Sequence, residues 1–229
     1  MKQIAHCFFY MILALLASSC NVFEIDPYDA PGATLQGKLT NEAGDPFITE
    51  QPNGFKIRII ENGSPTPRDF WGRPDGTFFN SKIFRGKYKI VATDGAFFPV
   101  DTVEADVSGT TTIDFKIIPY LIIEADITAH GGDLVATYKI HKAAGAGKIK
   151  NARLLVTKWN PNVGMNYNDK SVMRDLSGIT DGAIEGAEFT DNIPGYLEKG
   201  VTYYARVAVL ADNTLGRYNF SDVFEIAVP

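Results

Sequence analysis

The sequence predicts an all-β protein built as two β-sandwich domains in tandem. Three observations predict it. Helical periodicity is nearly absent from the 229 residues. Short runs of alternating or β-branched residues recur instead, separated by turns rich in Gly, Pro and Asp. Pro119 interrupts an apolar stretch near the middle; it cannot donate to a strand ladder, so it divides the runs into two sets.

Residues 1–19 read as a secretory leader. Lys2 supplies the positive start, 8–17 is an unbroken apolar run, and the small residues Ala17, Ser18 and Ser19 precede Cys20. The run is shorter than the ~20 residues of a membrane-spanning helix. A cysteine so placed resembles the lipobox of bacterial lipoproteins, which implies that Cys20 is acylated and becomes the new N-terminus. The only other cysteine, Cys7, lies inside the leader. The folded part therefore has no thiol for a disulfide, a zinc site or a nucleophile. Residues 20–32 form a tether carrying Glu24, Asp26 and Asp29. Early acids of this kind resemble surface-export signals, so the expected location is the outer membrane, facing the cell surface or else the periplasm. Membrane contact would run through the lipid anchor only. Without Lys2 the chain has 21 basic against 27 acidic residues, a net of −6. That charge argues against nucleic acid and anionic membrane surfaces as partners.

Strands are predicted at 33–39, 55–60, 77–84, 87–93, 97–103 and 111–118, the first sandwich spanning 33–118. Thr112-Ile113-Asp114-Phe115-Lys116-Ile117 alternates, which turns Ile113, Phe115 and Ile117 toward a core. Gly44-Asp45-Pro46, Pro74-Asp75-Gly76 and Arg85-Gly86 supply the turns. In the second sandwich, 119–229, strands are predicted at 121–127, 134–141, 152–158, 201–211 and 223–228. The stretch 161–169 reads as a polar loop. The small-residue stretch 143–147 reads as a flexible link that does not pack.

The first set resembles a carboxypeptidase-regulatory-like or transthyretin-like sandwich, on Asp75-Gly76-Thr77-Phe78 and Gly86-Lys87-Tyr88-Lys89-Ile90. The resemblance implies a hairpin that carries Phe78 and Tyr88 inward. The second set resembles a fibronectin type III or immunoglobulin-like sandwich, on Leu197, Gly200, Tyr203, Ala205 and Val207. It implies a tyrosine corner in which the Tyr203 hydroxyl bonds back to upstream backbone. Tyr203, Ala205, Val207 and Val209 would point inward, and Tyr204, Arg206 and Ala208 outward. With Asp26-Pro27-Tyr28-Asp29-Ala30-Pro31, Glu50-Gln51-Pro52-Asn53-Gly54 and Ile118-Pro119-Tyr120-Leu121, the chain is similar to a two-domain lipoprotein family of unknown function from gut Bacteroidetes. That family accompanies SusC-like transporters and SusD-like glycan-capture lipoproteins. The resemblance implies a place in glycan uptake and assigns no site residues.

Catalytic chemistry finds few candidates. His130 and His141 are isolated, too few for a zinc site. No nucleophile elbow, phosphate-cradling loop or calcium loop occurs. Glu185/Glu188 and Asp69/Asp75 could form a glycosidase pair but read as surface acids. We therefore expect no enzyme, no cofactor and no metal. Two places have the composition of a sugar platform, where a flat ring desolvates the apolar sugar face beside polar hydroxyl partners. One is Trp71 in Phe70-Trp71-Gly72-Arg73, read as a loop. The other is Trp159 in Trp159-Asn160-Pro161-Asn162, with Tyr167 and, should the last hairpin lie alongside, Tyr218 and Phe220. The rival reading, favoured by the general burial of tryptophan, is that each Trp packs inside. Asp101-Thr102-Val103 resembles the O-glycosylation acceptor of such bacteria, which would modify Thr102; a plain strand end is the other reading. The expected function is a non-catalytic envelope lipoprotein binding glycan or SusC/SusD-like partners. The alternative is a structural or adhesive surface protein with a spacer domain and a protein-binding immunoglobulin-like domain.

Overall fold

The structure is a computed structural model that describes residues 30–229. The leader, Cys20 and the tether as far as Asp29 lie outside the described residues.

The first sandwich contains β1 (Ala33–Thr40), β2 (Lys56–Glu61), β3 (Arg68–Trp71), β4 (Thr77–Ile83), β5 (Gly86–Thr93), β6 (Val103–Val107), β7 (Thr110–Thr112) and β8 (Phe115–Lys116). One sheet runs β4-β1-β7 with β8 also on β1, and the other β3-β2-β5-β6. Alternation sends Leu35, Ile57, Phe78, Tyr88, Ile90, Ile113, Phe115 and Ile117 into one core between them. Tyr88 keeps its hydroxyl satisfied by donating to the Phe84 carbonyl at 2.9 Å. Gly37 is required by close approach, since a Cβ there would lie 1.8 Å from the Ile113 carbonyl oxygen.

The second sandwich contains β9 (Leu121–His130), β10 (Asp133–Lys142), β11 (Ile149–Lys158), β12 (Lys170–Asp175), the single-turn helix α1 (Asp181–Ile184), β13 (Glu188–Ile193), β14 (Thr202–Ala211), β15 (Asn219–Phe220) and β16 (Phe224–Ala227). Its sheets are β13-β10-β9 and β12-β11-β14-β15, with β16 also on β14. The tyrosine corner forms as expected. The Glu198 amide donates to the Tyr203 hydroxyl at 2.9 Å, and that hydroxyl donates to the Tyr196 carbonyl at 3.3 Å. Buried Tyr138 donates to Asp191 at 2.7 Å, and Arg174 closes the group from the surface side.

Several strands differ from expectation, each for a local reason. β3, β12 and β13 are not evident in the sequence, and all three are edge strands with mixed, largely polar patterns. An edge strand shares its apolar load with solvent, so its periodicity fades. Residues 97–102 form no strand beyond a bridge from Phe97 to Pro119. The stretch 111–118 breaks into β7 and β8 because the Asp114 carboxylate accepts from the Lys38 amide at 3.0 Å, in place of a ladder carbonyl. The final return splits into β15 and β16. The link 143–147 does pack: Ala146 is buried, and a Cβ on Gly147 would lie 2.0 Å from the Asp212 carbonyl oxygen.

The largest departure is on the outer face of β14. Arg206 and Ala208 do point away from the sandwich core, but they are buried. Ala208 joins Leu155, Val163 and Phe220 in a separate apolar layer. The first domain meets the second along this side. Arg206 donates to the Thr49 carbonyl at 2.8 Å, Asn219 to the Ala96 carbonyl at 2.9 Å, and Arg217 to the Asp94 carbonyl at 3.0 Å. Phe98 and Tyr120 stack edge to face at 5.0 Å.

Candidate functional site

The loop from Trp159 to Asp169 joins β11 to β12, and local hydrogen bonds hold it closely. The Asp169 carboxylate accepts from the Lys158 amide at 2.6 Å, while the Asp169 amide returns to the Val156 carbonyl at 2.8 Å. The Asn160 side chain accepts from the Asn162 amide at 2.9 Å in an Asx turn. Gly164 and Tyr167 exchange backbone bonds, and the Asn168 amide group donates to the Gly164 carbonyl at 2.9 Å. Val163 anchors the loop in the apolar layer below.

This braced loop presents two aromatic rings to water. Trp159 is 66% exposed and Tyr167 48%. Trp159 also sits at φ +62°, the left-handed region that a bulky side chain avoids. Such a conformation costs of order 1–3 kcal/mol and persists only where the surroundings impose it. A large apolar ring held in water at that cost, on a loop that also carries the exposed Asn160 and the neighbouring Asn162, can stack on the apolar face of a pyranose while their side-chain amides reach its hydroxyls. Lys158 and Lys170 flank the loop. Lys158 contacts Glu198 at 2.6 Å, which holds its ammonium above the usual range, and Lys170 lies 5.1 Å from the Tyr196 ring centre.

The other expected platforms are placed differently. Trp71 is not in a loop; it ends β3, half-buried. The Lys56 ammonium lies 4.7 Å from its ring and the Arg217 guanidinium, from the second domain, 5.6 Å. Lys56 in turn pairs with Asp94 at 3.1 Å. The Trp71 ring is thus part of the seam between domains. Tyr218 and Phe220 do not join the Trp159 patch: Tyr218 donates to Asn151 at 3.1 Å, at the opposite end of β11 from Trp159, and packs with buried Phe220 in the apolar layer on the outer face of β14. Thr102 is exposed immediately before β6, accessible to modification and equally a strand end.

The titratable candidates are engaged in local structure. Asp69 forms a bidentate pair with Arg58 at 2.9 and 2.8 Å, and that guanidinium holds its carboxyl below the usual range. Asp75 accepts from the Thr77 amide. Glu185 accepts from the Lys142 amide at 2.8 Å and contacts His141 at 2.9 Å, which lowers its pKa. His130 contacts Thr128 at 3.1 Å. No group of three or more His, Cys, Asp or Glu among the described residues could hold a metal ion.

Sequence reasoning missed one surface feature. A cleft of about 600 Å³ lies on the outer face of β5 and β6 under the turn after β2, lined among others by Asn62, Pro65, Lys87, Lys89, Glu104 and Asp106. Its signal was the pairing of Lys87 and Lys89 with Asp106 and Glu104 across the ladder. It lacks an exposed aromatic face.

Residues 33–118 match the family described as "Protein of unknown function (DUF3823) N-terminal domain". Among solved structures the chain is similar to a DUF3823 family protein from Bacteroides uniformis, with TM-score 0.76 and 24% identity over 87% of this chain and 100% of that one. It is similar to a second Bacteroides uniformis protein, named as a candidate carbohydrate binding protein, with TM-score 0.76 and 24% identity over 86% of this chain and 100% of that one. A DUF3823 family protein from Parabacteroides merdae follows at TM-score 0.72 and 22% identity, over 86% of this chain and 100% of that one. At these identities the likeness shows the shared fold. No curated protein matches the chain.

Proposed function

We propose that the chain is a non-catalytic cell-envelope lipoprotein that binds carbohydrate through the Trp159–Asp169 loop, as an accessory to a SusC/SusD-like uptake system. The observation that carries the reading is Trp159, exposed and held at positive φ on a braced loop with Tyr167. The likeness to a candidate carbohydrate binding protein supports it. The leader pattern ending in Ser18-Ser19-Cys20 supports the lipid anchor, and the acidic tether supports a surface-facing place in the outer membrane.

Affinity electrophoresis of the soluble domain pair, residues 30–229, against plant and host polysaccharides tests the sugar reading. Trp159→Ala should weaken binding about tenfold or more, near 1.4 kcal/mol, and Tyr167→Ala somewhat less. Retardation by no polysaccharide, or retardation insensitive to both substitutions, would sink it. Mass spectrometry of the full-length protein from membranes should show acyl chains on Cys20. Co-purification with a SusC/SusD-like pair tests the partner.

A further inference from the structure

The loop that carries Trp159 and Tyr167 belongs to the second domain, yet its middle is held by the first. The Met165 amide donates to the Glu50 carboxylate at 2.7 Å. Glu50 is only 7% exposed and lies in the first domain, next to Thr49, whose carbonyl accepts from Arg206. Gly164 shows how tightly the carboxylate is seated: a Cβ there would lie 2.7 Å from Glu50 Oε2, 3.1 Å from Glu50 Cβ and 3.4 Å from Arg206 Nη2. The segment 49–50 is fixed from its own side as well. The Thr49 amide donates to the Pro74 carbonyl at 2.9 Å, and Gly54 lies too close to the Glu50 carbonyl to accept a side chain.

We propose that Glu50 is a positioning residue for the aromatic loop, so that the first domain sets the shape of the second domain's binding surface. This inference rests on the carbohydrate reading for what the loop binds, and on hydrogen bonding alone for what holds it. The bond from Met165 is a direct side-chain hydrogen bond to the loop from the first domain, and the Asn166 amide acts on the same carboxylate. It falls between Trp159 and Tyr167 in sequence. Losing it would free the turn at Gly164 and with it the relative orientation of the two rings. A glutamine at position 50 keeps a carbonyl for the Met165 amide, so geometry rather than charge is the requirement.

Hydrogen exchange on residues 30–229 decides the positioning. In Glu50→Ala the amides of 163–167 should exchange about tenfold faster, the ratio expected when one hydrogen bond to a charged group is lost. The amides of β10 and β14 should stay protected, which reports an intact fold. Glu50→Gln should restore slow exchange in the loop. Unchanged loop exchange in Glu50→Ala, or Glu50→Gln behaving like Glu50→Ala, would overturn the proposal. Affinity electrophoresis on the polysaccharide that retards the wild type should then show Glu50→Ala weakened and Glu50→Gln close to wild type. Should no polysaccharide retard the wild type, the carbohydrate reading fails, while the exchange result still decides whether Glu50 positions the loop.

Discussion

Trp71 and Trp159 are the chain's two tryptophans, each stands where a strand ends, and both have the local composition of a sugar platform. Their surroundings are opposite. Trp71 closes an edge strand at the seam, with one cation from its own domain and one from the neighbouring domain near its ring. Trp159 stands at positive φ in open water, on a loop whose underside is packed and whose outer side is bare. Burial of an aromatic residue is therefore decided here by what comes across the domain boundary, which local sequence does not encode. The difference also separates two energetic roles: Trp71 should matter for folding, Trp159 for recognition.

The largest expected effect is at the seam itself. Arg206 is buried, donates to the Thr49 carbonyl, and lies 4.0 Å from the Phe220 ring centre. Burial pushes its guanidinium down to about 10, opposed by the nearby Glu50. Arg206→Ala leaves the Thr49 carbonyl unpaired, removes the larger of the two cationic influences on Glu50 (Arg217 being the other) and opens a void beside Phe220. Urea denaturation should show a loss of about 3 kcal/mol, the lower end of the range for removing one member of a buried charged pair. A loss below about 0.5 kcal/mol, the ordinary size for a surface substitution, would mean that the domains are not coupled through this contact.

The two tryptophans come next, with different signs. Trp71→Ala should cost about 2 kcal/mol through lost apolar burial and cation–π contact, and should leave polysaccharide retardation unchanged. Trp159→Gly should leave stability unchanged or raise it by up to about 1 kcal/mol, because glycine accepts the left-handed backbone without strain, while retardation is lost. Thermal melts and affinity electrophoresis of the two variants side by side give the check. If Trp159→Gly destabilises as much as Trp71→Ala, the contrast between them is false. Tyr203→Phe is a smaller change within the second domain. It removes the hydroxyl that both accepts from Glu198 and donates to Tyr196. The expected loss is about 1–1.5 kcal/mol, with loop exchange at 163–167 unaffected.

What was legible in the sequence follows the same division. The inward residues of central strands, the turns at Gly76 and Gly86, and the tyrosine corner were readable because each is fixed by neighbours within a few residues or by a clear period of two. Edge strands β3, β12 and β13 were not, since their apolar pattern is diluted by solvent. Arg206 and Ala208 face away from the sandwich core, as the alternation along β14 requires, yet they are buried. Nothing local to β14 announces that another domain covers that face. Within the candidate site, composition places Trp159 and Tyr167 in one polar loop, while their exposure is seen only in the structure. The contribution of Glu50, 115 positions before Met165, was not readable, because it depends on how the two sandwiches meet.

The smallest expected effect concerns pH, and it separates the seam from the outer surface. Burial raises the Glu50 pKa, partly offset by the Met165 amide and by Arg206. A carboxyl with a raised folded-state value favours folding in its protonated form. Its contribution is complete below the unfolded value, about 4.3, and is lost as pH rises through the folded value. Asp69, Asp175, Asp181 and Glu185 run the other way, each held low by hydrogen bonds, chiefly to Arg58, Ser177, Lys142 and the Lys142 amide respectively. Their contribution is present above the ordinary carboxylate range and is lost as pH falls through their lowered values. The wild type should therefore lose stability from the surface carboxylates on acidification, while the Glu50 contribution grows over the same fall in pH. Glu50→Gln keeps the acceptor for Met165 and removes only the second of these slopes. Measured by urea denaturation between pH 4 and 7, the stability of Glu50→Gln relative to wild type should rise with pH, being greatest at pH 7 and least at pH 4. A difference that stays constant across that range would mean that Glu50 does not titrate there and that its burial is relieved by water.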